Sequence, residues 1–308
     1  MEDLVKIGFI GLGAMGFPMA RRVLNAGYPL VTTFHRERGR ADELGGLGAE
    51  VVNTPAEVAR KSDVVITIVP ADRELRECVL DENGVIEGLS AGKVLIDMTT
   101  CTPGTLLAIA AQVQARGAHV LDAPVSGGTT GAEAGTLSIM VGTDAALLEE
   151  YRPLLGTMGQ RIFHVGPVGQ GKIVKIVNQA LAAIHLLAIG EAWALGIRSG
   201  ADKNILYDVV KESSGYSRMM DARLPKFLFA GSFEPGFRLD LMKKDVLLAM
   251  DAAREAGTPM LLTSAIAQIF TAASAAGHGD ADFSRAAEFL AELAQTSLAE
   301  NSNSSGRK

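Results

Sequence analysis

Short apolar runs, most of them stopping at a glycine, a proline or an acidic residue, alternate with amphipathic stretches through the first half of the chain. Val5 to Ile10, Leu30 to Phe34, Val64 to Val69, Val94 to Asp97, His119 to Asp122, Ser138 to Gly142 and Arg161 to His164 each predict a strand. Pro18 to Ala26 predicts the first helix, because a first turn has no use for the N–H that proline lacks. Strands alternating with helices predict an α/β fold built on a doubly wound parallel sheet.

The pattern changes at about Gly166. Gly169 to Ser199 carries no strand signal and no proline, so it predicts one long interdomain helix of about 45 Å at the standard rise. Asp202–Ser213, Ser217–Phe229, Leu239–Ala256, Leu261–Ala276 and Phe283–Leu298 follow as helices. The predicted organisation is a nucleotide-binding domain over 1–166, an all-α domain over 167–298 and a disordered Asn/Ser/Gly-rich tail over 299–308.

Composition narrows the class. The chain has 308 residues, 48% apolar and 21% charged, which fits a globular protein with a substantial core. A net charge of −6 argues against nucleic-acid partners, which need a basic surface. Cys78 and Cys101 match no metal spacing, the five histidines do not cluster, and no metal is expected. An acidic start without a leader and no apolar run long enough to span a bilayer point to a cytoplasmic protein without membrane attachment. Ala180 to Ile189 reads as a buried helix, with His185 in its core.

Gly11-Leu12-Gly13-Ala14-Met15-Gly16 follows the first strand and opens the first helix. In that context the glycines give a tight turn, backbone approach to a pyrophosphate and close helix–sheet packing, with free N–H groups for the phosphates. This makes the first domain Rossmann-type and the cofactor a dinucleotide. After the second strand stands Phe34-His35-Arg36-Glu37-Arg38, where NAD proteins usually place a carboxylate. Arg36, with His35 and Arg38 as helpers, suits the extra phosphate of NADP; the other reading is a solvated loop, and NAD stays open. Val69 and Pro70 end the third strand where a cofactor would cross the sheet edge.

Lys175 and Asn178 are three apart on the long helix, with Gln179 next to them. An ammonium there can stabilise charge on a carbonyl oxygen and give it a proton. Lys172, one turn earlier, is expected to repel it; the alternative is that Lys175 is an ordinary surface lysine. Ser126-Gly127-Gly128 forms a turn whose N–H groups and hydroxyl can cradle a substrate carboxylate.

These stretches resemble the β-hydroxyacid dehydrogenases: Gly8 to Gly16, Asp122 to Gly128, Gly169 to Gln179, and Leu241-Met242-Lys243-Lys244-Asp245, in the family's order. The resemblance implies a nicotinamide domain, a helical domain, a site in the cleft between them, and Lys175 as general acid/base. It implies that Asn178 orients substrate, that Thr100 lies on the nicotinamide side and that Lys244 closes over the cofactor. Many relatives carry Asn-Asn where this chain has Asn178-Gln179, which leaves open which amide touches substrate. Phe237 either shapes the pocket or is ordinary packing. The expected activity is interconversion of a small hydroxy acid and its aldehyde or keto acid by a homodimer or homotetramer. The alternatives are an NAD-dependent 3-hydroxyisobutyrate-type enzyme, an imine reductase, which usually lacks the lysine, and a non-catalytic cofactor sensor.

Overall fold

The computed structural model describes residues 5–299; Met1 to Leu4 and residues 300–308, nearly all of the predicted tail, lie outside the described residues. The strands are β1 (Ile7–Ile10), β2 (Leu30–Thr33), β3 (Glu50–Val52), β4 (Val64–Thr67), β5 (Val94–Asp97), β6 (His119–Asp122), β7 (Val125–Ser126), β8 (Leu137–Gly142) and β9 (Gly159–Gly166). The helices among them are α1 (Gly16–Asn25), α2 (Gly39–Gly46), α3 (Pro55–Arg60), α4 (Asp72–Leu80), α5 (Pro103–Ala115), α6 (Gly128–Ala134) and α7 (Ala145–Gly156). The long α8 (Gln170–Arg198) is followed by α9 (Lys203–Lys211), α10 (Arg218–Arg223), α11 (Leu239–Glu255), α12 (Leu261–Ala273) and α13 (Arg285–Leu293). The chain divides into two compact units, Met1–Ile176 and Val177–Lys308.

In the first unit the sheet order is β3-β2-β1-β4-β5-β6-β8-β7, with β9 beside β8. β3 to β6 are parallel, and the order reverses between β1 and β4, the point where such sheets bind ligands. Alternate residues of one strand enter different cores. Ile7 and Phe9 join one, and Ile10 joins the other with Val31, Val65, Leu95 and Val120. Burial on both faces is why these strands read as continuous apolar runs.

The sheet departs from the expected parallel pattern at its far end. β8 is antiparallel to β6 and to β7, because the link from Gly127 to Thr136 is shorter than the roughly dozen residues a parallel crossover takes. β3 and the two-residue β7 were not expected at all. β3 is a three-residue edge in which only Val52 is buried, too short for an apolar run.

The second unit is all-α around a core that includes Leu186, Trp193, Leu228, Phe270 and Ala287. The expected helix over Ser217–Phe229 breaks into α10 and a π turn, Leu224–Phe229, because Pro225 cannot donate to the helical ladder. Among the described residues α8 is the helix long and apolar enough to cross a membrane, which the run-by-run reading did not anticipate. Ala183, Leu186 and Leu187 of α8 nevertheless pack in the core of this unit. His185 is not in that core. It is exposed, since the 3.6-residue period turns it onto the side of Leu181 and Ala188.

Asp282, fully buried, organises the loop before α11. Its carboxylate accepts hydrogen bonds from Arg223 Nη1, the backbone N–H of Gly236 and Phe237, and Ser284 Oγ. Removing the carboxylate leaves a largely covered guanidinium without its counter-ion. Asp282→Ala is therefore expected to destabilise the fold by about 3–5 kcal/mol, read as a lower urea midpoint.

Candidate active site

The turn from β1 to α1 fits a dinucleotide. Gly11 has φ +101°, and a Cβ there would lie 2.0 Å from the carbonyl oxygen of Ile68. A Cβ on Gly16 would lie 1.8 Å from the carbonyl oxygen of Gly11. At Gly13, by contrast, a Cβ would meet nothing within 4 Å, so open space faces the turn where phosphates would approach. α1 has no side-chain cap and no acidic residue in its first turn, which leaves its N–H groups and positive end to an anion. Leu12 and Met15 are half-buried against the core of the sheet, and Ala14 is exposed.

The loop after β2 separates its arginines. Arg38 pairs with Asp42 at 2.8 Å and stacks on Phe34 at 4.9 Å. His35 and Arg36 are exposed. Arg40, which sequence reasoning missed, donates to the carbonyl of Leu12 at 2.9 Å and braces the glycine turn from 28 residues away. Val69 is half-buried and Pro70 exposed at the end of β4. It is Thr99, buried, whose Oγ1 accepts the Val69 N–H at 3.1 Å; Thr100 beside it is half-buried.

Ser126 ends β7 and is half-buried. Gly127 and Gly128 follow with φ +140° and +64°, values that favour glycine, and a Cβ on Gly128 would meet open space.

A second feature of the first unit was missed. Thr67, Asp97 and Asp122 are cross-strand neighbours at the C-terminal ends of β4, β5 and β6. Lys172 reaches this row with its whole side chain buried. Its Nζ lies 2.8 Å from Asp97 Oδ2, 3.0 Å from Asp122 Oδ1 and 2.9 Å from the Asp97 carbonyl oxygen. Burial pushes the Asp122 carboxyl above its ordinary value, against the pull of Lys172. Burial also works against the Lys172 ammonium, but the two carboxylates outweigh it and hold it well above its usual range. Lys172 was expected to repel Lys175 as a bare positive charge; its ammonium instead stands between two carboxylates. Burial likewise pushes the Cys78 thiol up to about 12 and the Cys101 thiol well above its ordinary value.

Along α8, Lys172, Lys175 and Gln179 lie on the buried stripe, with Lys175 only 7% exposed. That excludes the surface-lysine reading. Asn178 falls on the exposed border of the stripe, because three residues rotate a helix position less closely into line than four.

In the second unit a hydrogen-bond chain sets amide polarity. Asp245, 1% exposed, can only accept, so Gln179 turns its Nε2 to Asp245 Oδ2 at 2.7 Å. Gln179 Oε1 then accepts from Asn178 Nδ2 at 3.1 Å. Asn178 is left with its carbonyl oxygen and one N–H for another partner. Lys244 Nζ lies 2.9 Å from Asp245 Oδ1. Phe237, half-buried, packs edge-on against Phe283 of the helical core at 5.9 Å.

Residues 6–166 match the family described as the NAD binding domain of 6-phosphogluconate dehydrogenase. Residues 169–290 match the NAD-binding region of NADP-dependent 3-hydroxyisobutyrate dehydrogenase. The chain is 39% identical over 284 residues to 2-(hydroxymethyl)glutarate dehydrogenase of Eubacterium barkeri, covering 92% of this chain and 94% of the relative. It is 35% identical over 285 residues to an NAD-dependent L-serine dehydrogenase of Pseudomonas aeruginosa, covering 91% and 95%. The structure of Mycobacterium tuberculosis 3-hydroxyisobutyrate dehydrogenase with L-serine superposes with a TM-score of 0.86 at 33% identity, covering 93% of this chain and 99% of that one.

The chain belongs to the β-hydroxyacid dehydrogenase family. It is a nicotinamide-dependent dehydrogenase, and the family match to an NAD binding domain spans residues 6–166, which include the glycine turn. For this dehydrogenase, Gly16→Ala is expected to weaken cofactor binding at least about 100-fold, because the new methyl must displace backbone rather than a side chain. Calorimetric titration with NADP and NAD checks it; binding within about threefold of wild type would show that the turn can relax.

Proposed function

We propose that this dehydrogenase interconverts a small β-hydroxy acid and its aldehyde or keto acid, that it prefers NADP, and that Lys175 moves the proton. The observation that carries the reading is a buried lysine on a largely apolar helix, with the Asn178 amide one turn away. The acids named for the relatives above support the substrate class. L-serine, 3-hydroxyisobutyrate and 2-(hydroxymethyl)glutarate all carry a primary alcohol on the carbon β to a carboxylate.

The nicotinamide, when bound, takes or gives the hydride. The chain's own residues do the rest. In oxidation the Lys175 amine accepts the alcohol proton, and in reduction its ammonium stabilises charge on the oxygen and returns that proton. Asn178 offers a carbonyl oxygen to the substrate hydroxyl, its polarity held by Gln179 and Asp245. Ser126 Oγ and the N–H groups at Gly127 and Gly128 receive the substrate carboxylate. Arg36, exposed and apart from the Asp42 pair that engages Arg38, takes the extra phosphate of NADP. Exposed Leu195, Ile205, Val209, Leu261 and Leu262 on the helical unit support self-association.

Lys175→Ala is expected to lower kcat about 1000-fold while cofactor still binds. Steady-state turnover of the three named acids, beside calorimetric cofactor titration, checks it; undiminished turnover would reduce Lys175 to a packing residue. Arg36→Ala is expected to lower the NADP-over-NAD ratio of kcat/KM about 10-fold or more. An unchanged ratio would remove Arg36 from the cofactor assignment.

A further inference from the structure

We propose that Lys172 is a positioning residue for the reaction: clamped by Asp97 and Asp122, it fixes where the first turn of α8 begins and so where the Lys175 amine stands. The proposal rests on the reading of Lys175 as the proton-transferring group.

Three observations converge on it. The first is the lysine itself. Lys172 is 0% exposed, as are Asp97 and Asp122, and lysine is almost never fully buried unless paired. Stability alone is a poor reason for such a cluster, because apolar residues of similar volume serve a fold as well or better.

The second is directionality. Asp122 Oδ2 accepts the backbone N–H of Gly169 at 2.9 Å and of Lys172 at 3.1 Å, while Oδ1 faces the Lys172 ammonium. The same carboxylate thus holds the helix start by its backbone and by its side chain. Asp97 is held in turn, its Oδ1 accepting from Thr67 Oγ1 at 2.8 Å and from the Thr99 N–H at 3.3 Å. Apolar contacts would permit sliding; these fixed distances do not. The backbone is fitted to the clamp as well. A Cβ on Gly171 would lie 2.8 Å from Asp122 Cγ, and one on Gly142 would lie 3.1 Å from the Gly171 nitrogen.

The third is reach. Lys175 follows Lys172 by three residues on the buried stripe, so their Cβ atoms are about 5–6 Å apart. A shift of about 1 Å at the first turn passes to the amine and can cost about 100-fold in rate.

The test compares wild type, Lys172→Met, Lys175→Ala and a charge-free triple variant, Lys172→Met/Asp97→Asn/Asp122→Asn. The triple variant keeps an acceptor for the backbone N–H groups and leaves no buried charge, so it reads the proposal even where Lys172→Met does not fold. Turnover is expressed per bound cofactor, with NADP(H) and whichever of L-serine, 3-hydroxyisobutyrate or 2-(hydroxymethyl)glutarate serves best, and is repeated with cofactor deuterated at the transferring position. The expected result is cofactor affinity within about threefold of wild type, turnover per site lowered about 10- to 100-fold, and a larger isotope effect on kcat, because the chemical step has slowed. A purely structural role lowers only the fraction of competent sites and leaves rate per site and isotope effect unchanged. That result in either Lys172 variant overturns the proposal, as does failure of both to fold. If Lys175→Ala keeps its turnover, the parent reading falls instead; if it loses turnover while the Lys172 variants do not, only the positioning role falls.

Discussion

Much of the first unit is referred to one carboxylate. Asp122 closes β6, accepts two backbone N–H groups from the start of α8, and faces a buried ammonium on that same helix. A strand end and a helix start are thereby joined by contacts of both signs and both kinds, main chain and side chain. The absence of side chains at Gly142 and Gly171 is the steric corollary of that junction. Ser126 lies four residues downstream of Asp122 in sequence, and Lys175 one helical turn beyond Lys172. The turn read as a carboxylate cradle and the amine read as a proton carrier are thus both tied to the same short piece of backbone.

The sheet makes the junction possible. Parallel strands bring their C-terminal ends to one edge, and in-register pairing sets Thr67, Asp97 and Asp122 side by side. Such a row of polar side chains closes three apolar strands at the depth where the helix starts. The second unit uses a carboxylate differently. Asp245 sets no position of its own charge partner alone; by accepting only, it decides which way two successive amides face.

Legibility followed the range of the interaction. β1, β4 and β5 are buried on both faces, so their sequences are apolar runs, broken in β4 and β5 only by the polar last residue. The glycine turn could be read because its spacing falls within six consecutive residues, even though the carbonyl that excludes a Cβ at Gly11 belongs to the distant Ile68. β3 and β7 escaped notice because a short edge has few residues with which to show a pattern. The Lys172 cluster was hidden for another reason: its partners stand 50 and 75 residues upstream, and each alone looks like an ordinary strand end. His185 was misjudged because apolar neighbours in sequence are not neighbours around a helix. Lys172 was misjudged because a charge was counted without the counter-charges that the fold brings to it.

β6 and β7 pair with β8 in one continuous register, Asp122 opposite Gly142 and Val125 opposite Ile139, with only Ala123 and Pro124 between them. They are in effect a single interrupted edge. Because strand side chains alternate, gaining or losing one residue in that interruption would turn Ser126 over to the opposite face of the sheet. On the reading of Ser126 as part of the carboxylate cradle, this edge can be retuned by exchanging side chains but not by changing its length.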